Sequence, residues 1–318
     1  MRKKNSSNLK SRRTGAVNRC GTLCELAGVR NPRHAVIAMA QRTVQEYGRR
    51  FPPFQARELC ELRKIRVYEQ CLVDCDARLF PTSDGYIAEV HEGHRKERKN
   101  FSLCHEIGHT FFARDSSEFA GIDYRCKPAK VGENKFEEYL CNLAAVELLM
   151  PGGIFRQYAN DLKPNVNSLS KLAKEFQVSL EAAIYRILDL DVWSCCFLCF
   201  NASTIELGNG PQLTGWQPSV TLGKNPLMIL SLMLELQRML ATGPLVDYLQ
   251  RCLSQGSQRM VVEIPTLKTS LTLETYSVNL GAVRQVNMLL FLGARSDIDL
   301  CPSASPSDGS SNQLQLFA

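Results

Sequence analysis

The feature that most constrains this chain is the motif His-Glu-x-x-His at residues 105–109. In a helix, His105 and His109 lie four residues apart on one face, so two imidazoles can bind one zinc ion from the same side. Glu106 then points beside the metal, where its carboxylate can take a proton from a zinc-bound water. The motif therefore predicts a hydrolytic zinc helix, and Asn100 is the residue predicted to cap its N-terminus.

A second predicted helix, Lys135–Met150, follows the motif and ends at proline and glycine stop signals. Its sequence, E-x-x-C-N-x-x-A-x-x-L-L-M-P over residues 138–151, combines with R-K-N-F-S-L-C-H-E-I-G-H over residues 98–109. These two motifs in this order resemble the ImmA/IrrE family of bacterial metallo-endopeptidases. The resemblance covers about residues 31–155 and is more specific than His-Glu-x-x-His alone, which also occurs in ordinary charged helices.

The metal ligands follow from the motif and from the resemblance. A catalytic zinc ion takes three protein ligands and leaves a fourth position to water, and His105 and His109 supply two of them. The resemblance implies Glu138 as the third ligand, because it stands at the family's glutamate position. Asn142 lies on the same helical face as Glu138 and is predicted to accept the second ring N–H of a ligand imidazole. Glu137 is the alternative ligand, rotated about a quarter turn away.

The predicted cofactor is one Zn²⁺ per chain, and the predicted activity is that of a zinc metallo-endopeptidase. Glu106 is the catalytic residue: it takes a proton from the attacking water and returns it to the leaving amine. The sequence leaves open which group stabilises the oxyanion, with Tyr139, His91 and His94 as candidates. For the pair His91 and His94, the charged segment around them favours a surface loop.

The fold class predicted is α+β, with a zincin-like metallopeptidase core, a small helix-turn-helix-like unit and an α/β GAF-like C-terminal domain. The core is predicted from two helices and a small sheet that precede the zinc helix, whereas the GAF-like assignment is implied by the resemblance alone. The predicted parts are a flexible basic leader (1–30), the metallopeptidase domain (31–160), the helix-turn-helix-like segment (161–190), the GAF-like sensor or interaction domain (191–300) and a disordered tail (301–318).

The helix-turn-helix-like segment raises the question of DNA binding. Gln177 stands in its turn, where glycine is common. The second helix offers only Glu181, Tyr185 and Arg186 for a contact with DNA or protein. DNA is therefore a second candidate partner, supported by this segment and by the basic leader alone.

Charge and cysteine content indicate the cellular compartment in which the protein works. The net charge of +6 equals the excess of basic residues in the first thirteen positions, so the remainder is close to neutral. The thirteen cysteines are scattered through apolar segments and do not form a disulfide framework. With no signal-peptide pattern and no apolar run of membrane-spanning length, we expect a cytoplasmic protein with reduced thiols and no membrane partner.

Three functional hypotheses follow. The resemblance implies a cytoplasmic zinc endopeptidase that cleaves a Cro/cI-like helix-turn-helix repressor and so switches on a stress or mobile-element response. The alternative is a DNA-binding transcriptional regulator in which the metallo-core is a non-catalytic scaffold. A third hypothesis is a component of a toxin–antitoxin pair.

Overall fold

The computed structural model forms two compact units. The first holds the described residues up to Gln157 together with Ala173–Ser179, and the second holds Tyr158–Leu172 and the described residues from Leu180 onward. The predicted disordered tail lies outside the described residues. The structure describes residues 19–114, 116, 135–205, 213–222, 226–255, 258–264, 269–280 and 283–291.

The first unit contains helices around a small mixed sheet. Its strands run in the order β1-β3-β2, with β1 parallel and β2 antiparallel to the central strand β3. The elements that begin in this unit are α1 (19–27), α2 (Pro32–Tyr47), α3 (Ala56–Leu62), β1 (Ile65–Gln70), β2 (Ala77–Thr82), β3 (Gly85–His91), α4 (Lys96–Thr110), α5 (Lys135–Leu149) and α6 (Gly152–Asn160).

Helix α2 shows how local sequence sets a boundary. The side chain of Asn31 accepts a hydrogen bond from the backbone N–H of Arg33, and Pro32 occupies the first turn, where a missing N–H costs nothing. Gly48 ends the helix at a φ of +71°, a left-handed conformation that glycine adopts without a steric penalty. Helix α2 is the first of the two helices predicted to precede the His-Glu-x-x-His motif, and the structure confirms that it is helical.

Helix α4, which carries the His-Glu-x-x-His motif, begins earlier than its sequence predicts. It starts at Lys96 after Arg95, which makes no side-chain capping bond, so the prediction of Asn100 as N-cap is wrong. Arg98 donates two hydrogen bonds to Asp76, at 2.8 and 2.9 Å, and this bidentate pair holds the first turn in place. Asn100 is buried inside the helix and donates to the carbonyl of Gln177.

The predicted flexible leader is helical where the structure describes it. Residues 19–27 form α1, with Leu23 and Ala27 buried, whereas residues 1–18 lie outside the described residues. Arg42 donates to the carbonyls of Leu26 and Ala27 at 2.9 and 2.8 Å and so satisfies two acceptors at the end of α1. The prediction of a flexible leader is therefore wrong for this stretch.

Helix α5 continues into α6 through a buried carboxylate. Glu147 accepts from Gln41 Nε2 and from the backbone N–H of Gly152, both at 3.0 Å. The second bond satisfies a free donor in the first turn of α6 and places a negative charge at its N-terminus, where the helix dipole favours one. The Leu-Leu-Met-Pro ending is thus a helix-to-helix corner.

Two further helices form the helix-turn-helix-like segment: α7 (Val166–Phe176) and α8 (Leu180–Leu190). The turn between them places Gln177 at a φ of +53°, the left-handed conformation that explains why glycine is common there. The N–H of Val178 closes the end of α7 by donating to the carbonyl of Ala173 at 2.9 Å.

The C-terminal part of the chain is a five-stranded antiparallel sheet with two helices. The strands run in the order β5-β4-β8-β7-β6. The elements are β4 (Cys195–Ile205), β5 (Leu213–Leu222), α9 (Pro226–Thr242), α10 (Pro244–Gln255), β6 (Gln258–Ile264), β7 (Thr269–Leu280) and β8 (Val283–Phe291). Mixed helix and sheet content confirms the α+β class. Among the described residues, no helix combines the length and apolarity needed to cross a membrane.

Candidate metal centre

The candidate metal centre lies where α4 packs against α5. Gly108 makes the close approach possible: a Cβ added there would lie 3.0 Å from Cys141 Cα and 3.1 Å from Ala144 Cβ. A side chain at this position would push the helices apart, since real Cβ contacts are rarely so short. The small residues therefore bring His105 and His109 on α4 within reach of the carboxylates on α5.

The carboxylate of Glu138 faces both histidines. Its Oε2 lies 3.0 Å from His105 Nε2, and its Oε1 lies 3.7 Å from His109 Nε2. The two imidazole rings are 5.0 Å apart between centroids and lie nearly perpendicular. One oxygen donor and two nitrogen donors thus converge on one small volume, which is the donor set of a catalytic zinc site.

The opposite ring nitrogens have partners of their own. Asn142 Oδ1 lies 2.8 Å from His105 Nδ1, as the helical spacing on α5 predicts. Glu137 Oε1 lies 3.3 Å from His109 Nδ1. When each Nδ1–H donates to its acceptor, each Nε2 lone pair is left to bind a metal ion. The residues present therefore fit a zinc ion held through the two Nε2 atoms and Glu138.

Cys141 offers a competing third donor. Its Sγ forms a compact group with the two histidines but lies 3.4 Å from Nδ1 of His109, not from Nε2. Burial, partly offset by His109, raises the pKa of this thiol to about 12, so the thiolate that a metal needs is scarce near neutral pH. We favour Glu138, because it faces the metal-binding nitrogen of both rings.

Electrostatics keep Glu138 ionised. Burial favours its neutral form, but the hydrogen bond from His105 and the charges of both histidines outweigh burial and lower the pKa of Glu138 to about 2. Burial also disfavours a protonated His109, yet Cys141, Glu137 and Glu138 together raise the pKa of His109 well above its usual value. Burial and the neighbouring charged groups thus act in opposite directions on both residues.

Glu106 follows the first histidine and is buried on α4. Burial raises the pKa of Glu106 above its usual value, while the charges of His109 and His105 offset part of that rise. A carboxylate with a raised pKa accepts a proton more readily than an exposed one, which suits a general base.

The structure places the other predicted residues as follows. His91 is the last residue of β3, and His94 lies just before α4. Their rings stack with 4.4 Å between centroids, and His94 Nδ1 lies 3.6 Å from Asp76. Tyr139 lies on α5 beneath the guanidinium of Arg33. The oxyanion donor stays a prediction.

The residues predicted to contact DNA or protein lie on α8. Tyr185 and Arg186 are buried, at 8% and 5% exposure, and Arg186 donates to Asp189 at 2.9 Å, whereas Glu181 is exposed. Buried side chains are not placed for base reading in this conformation. A contact of these residues with DNA or protein therefore stays a prediction, and the burial of Tyr185 and Arg186 does not support it.

The contacts that Glu137 makes at this centre were not predicted from the sequence. Glu137 was predicted only as an alternative ligand, but it contacts Nδ1 of His109 and pairs with Arg19 at 2.7 Å. No local pattern reveals this contact, because it joins residues from three helices. Only the packing of α1 against the core brings them together.

Two histidines and a glutamate on one helix, facing a carboxylate on the next, are the donor set and base of the zinc metallopeptidases. Comparison with known proteins finds a similar peptidase family. Residues 60–188 match the family described as the IrrE N-terminal-like domain, a peptidase family. Over this segment the chain is similar to proteins of the ImmA/IrrE family.

Two curated relatives carry the description "radiation response metalloprotease IrrE". The protein from Deinococcus radiodurans is 32% identical over 102 residues, which are 31% of this chain and 30% of that protein. The protein from Deinococcus deserti is 26% identical over 133 residues, which are 41% of this chain and 47% of that protein. The matched segment thus spans less than half the length of either relative.

A solved structure is also similar to the chain. It is described as a Mycobacterium tuberculosis transcriptional regulator, with a TM-score of 0.47 and 16% identity, covering 86% of this chain and 94% of that one.

Proposed function

We propose that the chain is a zinc-dependent endopeptidase that cleaves a Cro/cI-like helix-turn-helix repressor and so switches on a stress or mobile-element response. The observation that carries the proposal is the Glu138 carboxylate, which faces Nε2 of both His105 and His109. Membership of residues 60–188 in a peptidase family supports the same reading.

The residues of the centre have different proposed roles in holding the metal ion. His105, His109 and Glu138 would hold the ion, and Asn142 would keep the His105 ring oriented through its 2.8 Å contact with Nδ1. When bound, zinc supplies a coordinated water of lowered pKa and polarises the scissile carbonyl. Holding three ligands on two rigid helices leaves one position open for the water and the substrate.

Glu106 would handle the protons. Its carboxylate takes one from the attacking water and then gives it to the nitrogen of the leaving amine, so the peptide C–N bond breaks without releasing a strongly basic amide. The raised pKa of Glu106 brings it closer to the working pH, where both transfers are efficient. Substituting glutamine keeps the shape of the side chain and removes the base.

The identity of the substrate rests on the resemblance to ImmA/IrrE proteins. The two relatives described as radiation response metalloproteases support a role in a stress response. The C-terminal five-stranded antiparallel sheet with its helices is proposed to be the GAF-like part that senses a signal or holds the substrate. A peptidase attached to such a part would act on few proteins.

The test is cleavage of purified candidate repressors by the zinc-loaded chain beside its Glu106→Gln variant. We expect the wild-type chain to produce defined fragments and the variant to lose at least about a hundredfold in rate, the scale of general-base catalysis. Equal cleavage by both would sink the mechanism. Cleavage of unrelated unfolded proteins at the same rate as the repressor would sink the proposed specificity.

A further inference from the structure

We propose that Glu137, held in place by Arg19 from the N-terminal helix, is a positioning residue that fixes the ring of His109 for metal binding. The proposal rests on the proposed function, because it assigns a role at the same metal centre. It makes α1, which lies outside the segment matched by the peptidase family, a part of that centre.

The first step is the position of Glu137. Its side chain is 1% exposed, and its Oε1 lies 3.3 Å from His109 Nδ1. A carboxylate accepts the Nδ1–H hydrogen bond, which fixes the tautomer that leaves Nε2 for the metal. An anionic acceptor also makes the imidazole a stronger donor to a metal than a neutral acceptor does.

The second step is the charge of Glu137. An ionised carboxylate buried this deeply is costly unless a cation and hydrogen bonds compensate it. Arg19 does so, because its Nη1 lies 2.7 Å from Glu137 Oε1. The same guanidinium lies over the ring of Phe112, 5.6 Å from its centroid, which restricts where it can move.

The third step is the anchoring of α1. Leu23 and Ala27 bury its inner face, and Arg42 donates to the carbonyls at its C-terminal end. Arg114, which follows α4, forms an ion pair with Glu25 on α1. Because these contacts fix α1 against the core, Arg19 is presented to Glu137 at a defined position.

The two ligand histidines are therefore supported differently. His105 contacts the neutral amide of Asn142 from within the peptidase motif, whereas His109 contacts a carboxylate whose charge is balanced from another helix. Loss of Arg19 would leave Glu137 buried without this cation and free to change its orientation or its protonation. The ring of His109 would then be held less firmly, although none of the metal ligands has been changed.

The test measures zinc affinity of the full-length chain by competition with a chelator. Glu137→Gln and Arg19→Met should each weaken zinc binding about ten- to hundredfold, the range typical for loss of an outer partner of a ligand histidine. Arg19→Lys should retain most of the affinity, because a cation still faces Glu137. Glu147→Gln is the matched control: it alters another buried carboxylate of α5 and should leave zinc affinity unchanged.

The outcomes separate this inference from the proposed function. Tight zinc binding by the wild-type chain with unchanged affinity in both variants overturns the inference alone. Equal weakening in the Glu147→Gln control overturns it as well, since the effect would then reflect general destabilisation. A wild-type chain that binds no zinc overturns the proposed function and the inference with it. If Glu137→Gln fails to fold, Arg19→Met decides, because its side chain is 17% exposed and lies at the edge of the pair.

Discussion

Oε2 of Glu138 lies 3.0 Å from Nε2 of His105 across the contact between α4 and α5. The other oxygen of the same carboxylate faces Nε2 of His109 at 3.7 Å. The carboxylate thus faces both of the ring nitrogens that would bind a metal ion. This arrangement supports Glu138 as the third ligand.

The third ligand can be identified by substitution. Glu138→Gln should lower zinc affinity by more than about a hundredfold, beyond the range typical for losing an outer partner. Cys141→Ala should retain the affinity, because its sulfur lies against Nδ1 of His109. Chelator competition on both variants measures the difference, and the reverse ranking would assign the site to the cysteine.

The close helix contact at Gly108 should be essential to the site. Gly108→Ala places a methyl group 3.0 Å from the backbone of Cys141, so we expect a loss of about 1–3 kcal/mol in the free energy of unfolding and weaker zinc binding. Gly153→Ala is the control, since nothing lies within 4 Å of an added Cβ there. Denaturant unfolding of both variants checks the prediction, which fails if they are equally stable.

The corner between α5 and α6 should affect stability alone. Glu147→Ala leaves the partly buried N–H of Gly152 and the exposed Gln41 side chain without this acceptor, and it empties a buried position on α5. We expect a cost of about 1–3 kcal/mol in the free energy of unfolding, with zinc affinity unchanged in the folded protein. Urea unfolding monitored by circular dichroism measures the cost, and a change in zinc affinity would contradict this division of roles.

Glu69 should make a small pH-dependent contribution to stability. The hydrogen bond from Lys99, at 2.6 Å, and the charges of Lys99 and Arg57 lower the pKa of Glu69. Because the folded pKa lies below the unfolded value, the stabilisation is present above about pH 4.5 and is lost as the pH falls through the folded pKa. Glu69 is 39% exposed, so Glu69→Gln should cost less than about 1 kcal/mol at pH 7.

The pH series that checks this prediction compares unfolding free energies of the wild-type chain and Glu69→Gln. The difference should shrink as the pH is lowered and also in high salt, which screens exposed pairs. A difference that grows towards acid pH would contradict the assigned sign.

The peptidase motifs made much of the first unit predictable. Apolar residues at helical spacing predict α2, and the proline and glycines after α5 mark the end of that helix. The resemblance implied Glu138, and helical spacing from Glu138 then predicted Asn142 as a partner of a ligand histidine, which it contacts. These predictions concern neighbours on one helix, where a fixed geometry converts spacing into position.

Features that depend on packing escaped prediction. Helix α1 is short and contains Gly21 and Thr22, so its stability comes from tertiary contacts such as the burial of Leu23. Strand β2 contains Pro81, which lowers its strand signal but is tolerated at the edge of the sheet. The ion pair of Glu137 with Arg19 depends on where α1 docks, which no local pattern encodes.

The measurement that tests the central claim most directly is a comparison of new protein N-termini in native cells that produce either the wild-type chain or Glu106→Gln. We predict one or a few N-termini that are present only with the wild-type chain and that map to a helix-turn-helix repressor. Identical sets of N-termini under the conditions that induce the response would contradict the claim that this chain is a regulatory endopeptidase.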